Sequence, residues 1–167
     1  MNLNCIGLFG TCGKSTWREK FIKKYEELGI IYFNPQVPDW NPALAVVEAE
    51  NLATDQILLF PITNETYATG SLAESGFSIL NAIKLDDRRD LIIMISPELE
   101  KELMDKNPEL AKESLRARAL VIQHLKKQNL SNLFVVDTLE EMLDVSITLW
   151  ESHQIRNKIK DYSIKRN

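Results

Sequence analysis

Five short apolar runs recur along the chain, Leu3 to Phe9, Ile30 to Phe33, Gln56 to Ile62, Leu91 to Ile95 and Leu133 to Val136, and each leads into a segment with helical spacing. Leu91 to Ile95 is apolar at every position, the pattern of a strand covered on both faces. A chain that alternates such strands with helices folds as a five-stranded parallel sheet between two helical layers. Ligands then bind beyond the carboxyl ends of the strands.

Ser15 to Leu28 carries Trp17, Phe21, Ile22, Tyr25 and Leu28 at helical intervals, and Gly29 closes that helix. Asn34-Pro35, Pro38 and Pro42 make residues 34 to 42 a stiff loop. Further helices are expected over Ala43 to Ala53, Gly70 to Ile83, Glu98 to Gln128 with a break near Asn107-Pro108, and Leu139 to Trp150. The 167 residues are enough for one core, so residues 1–150 read as a single domain. Residues 151–167, with Arg156, Lys158, Lys160, Lys165 and Arg166, read as a solvated basic tail.

Lysine plus arginine total 20 against 24 aspartate plus glutamate, a net charge of −4, which disfavours a nucleic-acid partner. The apolar runs fall far short of the roughly 20 residues a spanning helix needs, so no membrane partner is expected. The first residues lack the basic and apolar regions of a secretory signal, and Cys5 and Cys12 lie where a strand would carry them apart. A reducing, cytoplasmic setting is the expectation. His124 and His153 are distant in sequence and the cysteines lack metal-site spacing, so neither a metal nor another cofactor is implied.

The first loop, Gly10-Thr11-Cys12-Gly13-Lys14-Ser15-Thr16, superficially invites a nucleotide-triphosphate loop. Its spacing refuses the assignment, because the glycine required five residues before Gly13 is Leu8. What remains is a small-residue loop before a helix N-terminus, whose free N–H groups suit an anion, with Lys14 and Arg18 able to add charge. Asp55 stands at the entrance of the third strand, and Thr69-Gly70-Ser71-Leu72-Ala73-Glu74 opens the helix beyond its far end. This places Glu74 in the first turn at a ligand-binding edge, where the helix dipole favours the ionised form that a carboxylate nucleophile requires. A serine-hydrolase elbow is missing around Ser75.

Tyr32-Phe33-Asn34-Pro35-Gln36-Val37-Pro38-Asp39-Trp40-Asn41-Pro42, with Gly10-Thr11-Cys12, Ser15-Thr16-Trp17-Arg18, the segment Glu48 to Thr63 and Gly70-Ser71-Leu72-Ala73-Glu74, resembles the nucleoside 2-deoxyribosyltransferase-like family. The similarity covers roughly residues 4 to 84. It implies a flavodoxin-like, Rossmann-like domain in which the glutamate matching Glu74 attacks the anomeric carbon of a sugar and the aspartate matching Asp55 binds and protonates the base. The expected activity is transfer or hydrolysis of the N-glycosidic bond of 2′-deoxynucleosides or their 5′-monophosphates. Phe33, Trp40 and Tyr67 are the aromatic candidates for stacking on the base, and Asn34 and Gln36 for reading its edge. Gly10, Thr11, Gly70 and Ser71 would line the substrate, and Lys14 and Arg18 would meet a phosphate. Relatives complete their pockets with a neighbour's residues, which implies a homo-oligomer.

Two departures from the family pattern stand out. Leu8 occupies the position of a tyrosine that orients the glutamate, and Ala68 that of a second aspartate six residues before it. Sugar recognition would then fall to Asn64, Glu65 or Tyr67. A non-catalytic nucleotide-binding module is the main alternative, and a degenerate phosphate-loop protein a more distant one.

Overall fold

A computed structural model of the chain describes residues 5–39, 41–84 and 88–159, with the backbone alone for 77–84. The elements run β1 (Cys5–Leu8), α1 (Trp17–Leu28), β2 (Ile31–Phe33), α2 (Pro42–Thr54), β3 (Ile57–Ile62), α3 (Thr69–Lys84), β4 (Asp90–Ile95), α4 (Lys101–Lys106), α5 (Pro108–Leu125), β5 (Leu133–Val136) and α6 (Leu139–Lys158). All neighbouring strands pair in parallel, in the order β2-β1-β3-β4-β5. This is the α/β flavodoxin-like fold.

The strands are apolar throughout because successive side chains enter two different cores. Ile6, Leu8, Ile57, Leu59, Ile92 and Met94 face Trp17, Phe21 and Tyr25 of α1 and Met142 and Leu143 of α6. Phe9, Leu58, Phe60, Leu91 and Ile93 pack on the other side with Leu52 of α2 and Leu125 of α5. Helix starts follow local chemistry: Asn41 accepts from the Ala43 N–H at 3.0 Å and Asn107 from the Leu110 N–H at 3.1 Å, each followed by a proline at the first helical position. The break at Asn107-Pro108 divides α4 from α5 where the sequence places it.

The last helix is longer than its spacing suggests. It continues past Trp150 to Lys158, and His153 Nε2 lies 2.6 Å from Asp90 Oδ2 at the start of β4. Arg156 and Lys158 are therefore helical, whereas Lys160, Lys165 and Arg166 lie outside the described residues. No helix of the described residues is long and apolar enough to cross a membrane. Cys5 and Cys12 are both free thiols.

The β1–α1 loop is sewn onto the end of β3. Thr11 N–H donates to Pro61 O at 2.9 Å, and Thr63 N–H donates to Thr11 Oγ1 at 3.0 Å. Pro61 is tolerated in a central strand because β1 pairing has ended at Leu59. Gly10, at φ +88°, lets the loop approach: a Cβ there would stand 2.6 Å from Pro61 O. Gly13 has φ +75°, but its nearest contact would be Thr66 Cγ2 at 4.0 Å. Gly10→Ala is expected to lower stability by about 2–4 kcal/mol and Gly13→Ala by only about 1 kcal/mol. Urea unfolding of both variants checks the difference.

Candidate active site

In this strand order, β1 leads to β2 on one side and β3 leads to β4 on the other, so the connections diverge and a crevice opens beyond β1 and β3. The β1–α1 loop, the start of α1 and the β2–α2 loop line a cavity there.

Arg18, in the first turn of α1, is only 2% exposed and binds the loop around it. Its Nε donates to Leu8 O at 2.9 Å, its Nη1 to Thr11 O at 2.6 Å and Gln36 Oε1 at 3.3 Å, and its Nη2 to Phe9 O at 3.2 Å. Gly10 O and Cys12 Sγ lie 3.5 and 3.4 Å from Nη2. A guanidinium has five N–H donors, and these partners occupy them. The expected role of Arg18 as a phosphate ligand is thereby corrected: its donors are spent on carbonyls that have no ladder partner. Gln36 ties the second loop to the first, accepting from Arg18 and donating to Gly13 O at 3.0 Å, and Asn34 Oδ1 accepts from the Gln36 N–H.

Glu74 lies in the second turn of α3, not the first, because that helix begins at Thr69. Burial raises its pKa, the charge of Glu48 raises it further, and Arg18 opposes both. Burial thus works against the ionised form that the sequence position suggests. Glu48, from α2, is likewise raised by burial and opposed by Arg18. The structure therefore brings together two carboxyls and one guanidinium from three helices.

Asp55 is not part of this group. A residue that precedes a parallel strand sits at the opposite sheet edge from the helix that follows it, and Asp55 is wholly buried at the amino edge, near Cys5 and Arg89. Its carboxyl lies over Gly7, where a Cβ would come within 2.7 Å of Oδ2. Burial pushes the group up to about 6, opposed first by the neighbouring Cys5 thiol and then by the charge of Arg89. Burial and the Asp55 charge also push the Cys5 thiol up to about 12.

The remaining expected residues divide. Thr11 is buried and committed to β3, as Gly10 is by packing. Tyr67 turns its hydroxyl to Leu103 O at 2.8 Å in α4, which leaves it as an anchor of the β3–α3 loop. Phe33 packs against Phe9 with the rings tilted by 47° and their centroids 5.9 Å apart. Gly70 is exposed and Ser71 buried in the first turn of α3. Trp40 lies outside the described residues. Lys14 is exposed and lines a cavity of about 380 Å³ with Gly13, Ser15, Arg18, Asn34 and Gln36. Asn64 and Glu65 line another, of about 430 Å³, toward the start of α6.

Glu48 was hidden in the sequence by Glu50 beside it. Only the helix's placement shows that Glu48 is half-buried and Glu50 exposed. Among the described residues no group of three or more histidine, cysteine, aspartate or glutamate side chains is placed to hold a metal. No family model, curated protein or solved structure matches the chain.

The raised Asp55 carboxyl gives stability a specific pH dependence. Its folded pKa of about 6 lies above the ordinary 3.8, so the folded state binds a proton more tightly than the unfolded chain. That contribution is complete below the unfolded value and is lost as pH rises through the folded one. Asp55→Asn should remove it, leaving the variant more stable than wild type at neutral pH, on the order of 2–3 kcal/mol, with the gap closing toward pH ~4. Urea titrations at stepped pH values measure this directly.

Proposed function

We propose that the chain transfers or hydrolyses the N-glycosidic bond of 2′-deoxynucleosides, with Glu74 as nucleophile and Glu48 in the acid role that sequence gave to Asp55. The observation that carries this reading is that two half-buried glutamates from different helices, Glu48 and Glu74, both feel the charge of the buried Arg18, and Glu74 feels that of Glu48. The sequence resemblance across residues 4 to 84 supports the substrate class.

In the first step the C1′–N bond breaks and its electron pair leaves with the base, which takes a proton from Glu48. Glu74 carries its lone pair to C1′ and forms a glycosyl ester. In the second step a new base or water attacks C1′, the ester bond breaks, and the incoming group returns its proton to Glu48. Two carboxyls suit this division of work, in which one delivers the proton and the other attacks.

The test is incubation with a panel of deoxynucleosides and monophosphates, with and without an acceptor base. Wild type should release base, or exchange it, and mass spectrometry should find a deoxyribosyl adduct on Glu74. Glu74→Gln should lose roughly 10³-fold or more in rate, Glu48→Gln should suffer most with poor leaving bases, and Asp55→Asn should keep its activity. Full activity in Glu74→Gln sinks the covalent route. Nucleotide binding without any turnover favours the non-catalytic module.

A 5′-monophosphate substrate is favoured by one further detail. Ser15 Oγ is buried without a hydrogen-bond partner in the wall of the cavity that Lys14 lines, and Thr16 leaves α1 without a side-chain cap. In the same panel, Lys14→Ala should weaken monophosphate binding about tenfold and spare nucleosides.

We also propose self-association through α2. That helix buries only Leu52 among its residues, leaves Val46 61% and Val47 44% exposed, and carries Glu48, so a second copy seated there would enclose the site. Sedimentation should show an oligomer at micromolar concentration that Val46→Glu converts to monomer.

A further inference from the structure

From the end of β3 to the start of α3, backbone carbonyls are taken up by donors from the β4 to α5 half of the fold. Arg118 of α5 is wholly buried, and each of its N–H donors meets an acceptor: Nε donates to Ser114 Oγ at 3.3 Å, Nη1 to Ile62 O at 3.3 Å and Ser96 O at 3.0 Å, and Nη2 to Thr63 O and Thr66 O, both at 2.8 Å. Ser114, buried one turn earlier, donates from Oγ to Tyr67 O at 2.8 Å, and the Glu100 N–H donates to Asn64 O at 3.0 Å. This grip ends at Ala68, whose φ of +54° makes it the only non-glycine residue in the left-handed region among the described residues. Alanine holds such a conformation only where its surroundings over-determine it.

The third helix starts directly beyond this turn. Thr69 is its first residue, and the Leu72 N–H donates to Ala68 O at 2.9 Å. Past that point its contact with α5 is open: a cavity of about 200 Å³ lies between Leu72, Ser75 and Gly76 of α3 and Val121, His124 and Leu125 of α5, and a Cβ on Gly76 would meet nothing within 4 Å. Close packing against α5 therefore does not fix the helix along this stretch.

We propose that Ser114 and Arg118 are positioning residues for Glu74: by gripping the carbonyls of Ile62, Thr63, Thr66 and Tyr67 they hold the Ala68 turn in its left-handed form, and that turn sets the direction of α3. The consequence for catalysis rests on the reading of Glu74 as nucleophile, whereas the hold on α3 does not. Glu74 stands five residues after Thr69, about 7–8 Å along the helix axis. Tilting the helix by roughly 10° at its first residue shifts Glu74 by ~1 Å, a displacement that costs about 10²-fold in rate.

The experiment is amide hydrogen exchange on the full chain, read at Leu72 of α3 and at Ile93 of β4, together with steady-state kinetics of base release. Ser114→Ala should speed exchange at Leu72 about tenfold or more and leave Ile93 as in wild type. Its kcat should fall about 10²-fold while KM changes less than about threefold. Adding Ala68→Gly should restore most of both losses, because glycine takes this φ without the grip. Arg118→Lys, which cannot span the same carbonyls from one nitrogen, should act as Ser114→Ala does. Exchange that rises equally at Leu72 and Ile93, wild-type exchange at Leu72 in either folded variant, or no recovery on adding Ala68→Gly overturns the proposal. Wild type that releases no base refutes the activity, and exchange alone then decides on the grip; base release with kcat unchanged in Ser114→Ala refutes the positioning and leaves the activity.

Discussion

Buried guanidiniums gripped by backbone carbonyls hold the functional edge of this protein in shape. Where a loop leaves a parallel strand its carbonyls lose their ladder partners, and burying them unpaired is costly. Arg18 gathers those of the β1–α1 loop. Arg118, fully buried on α5, does the same for the neighbouring connection, donating to Thr63 O and Thr66 O at 2.8 Å, to Ser96 O at 3.0 Å and to Ile62 O at 3.3 Å. Burial lowers Arg118 only to about 10, so it remains a cation at neutral pH. Arg89 repeats the device at the amino edge with Leu52 O and Asp55 O. Breaking such an arrangement strands both a buried charge and several carbonyls, which is why lysine is no substitute.

The same clamp carries a positive charge into the neighbourhood of Glu48 and Glu74, where burial works against the ionised form of each carboxyl and Arg18 works for it. A neutral side chain could tie down the loop, but it would bring no such charge.

Asp55 shows how position in a fold changes what a residue type means. A carboxyl beside a strand is equally acidic at either end, but in a parallel sheet the two ends face opposite ways. Asp55 is buried over Gly7 with Cys5 and Arg89 for neighbours, a carboxyl of the core and not of the ligand-binding edge. Tyr67 is a second case: an aromatic in a site-facing loop whose hydroxyl is drawn away by the Leu103 carbonyl.

Strand and helix order were written in the sequence, because apolar period, proline and glycine act locally: the five runs became the five strands, and Asn41-Pro42 and Asn107-Pro108 became helix starts. So was the place of Glu74 beyond the carboxyl end of β3, since connectivity alone puts it there. The half-burial of Glu48 beside an exposed Glu50, the burial of Asp55 at the amino edge, and the engagement of Arg18 by the β1–α1 loop depended on residues far apart in the chain. The extension of α6 to Lys158 likewise rests on an anchor, Asp90, that lies 63 residues before His153. Local periodicity carries no record of which distant groups will lie opposite one another, and burial and charge pairing are settled only when the sheet brings them together.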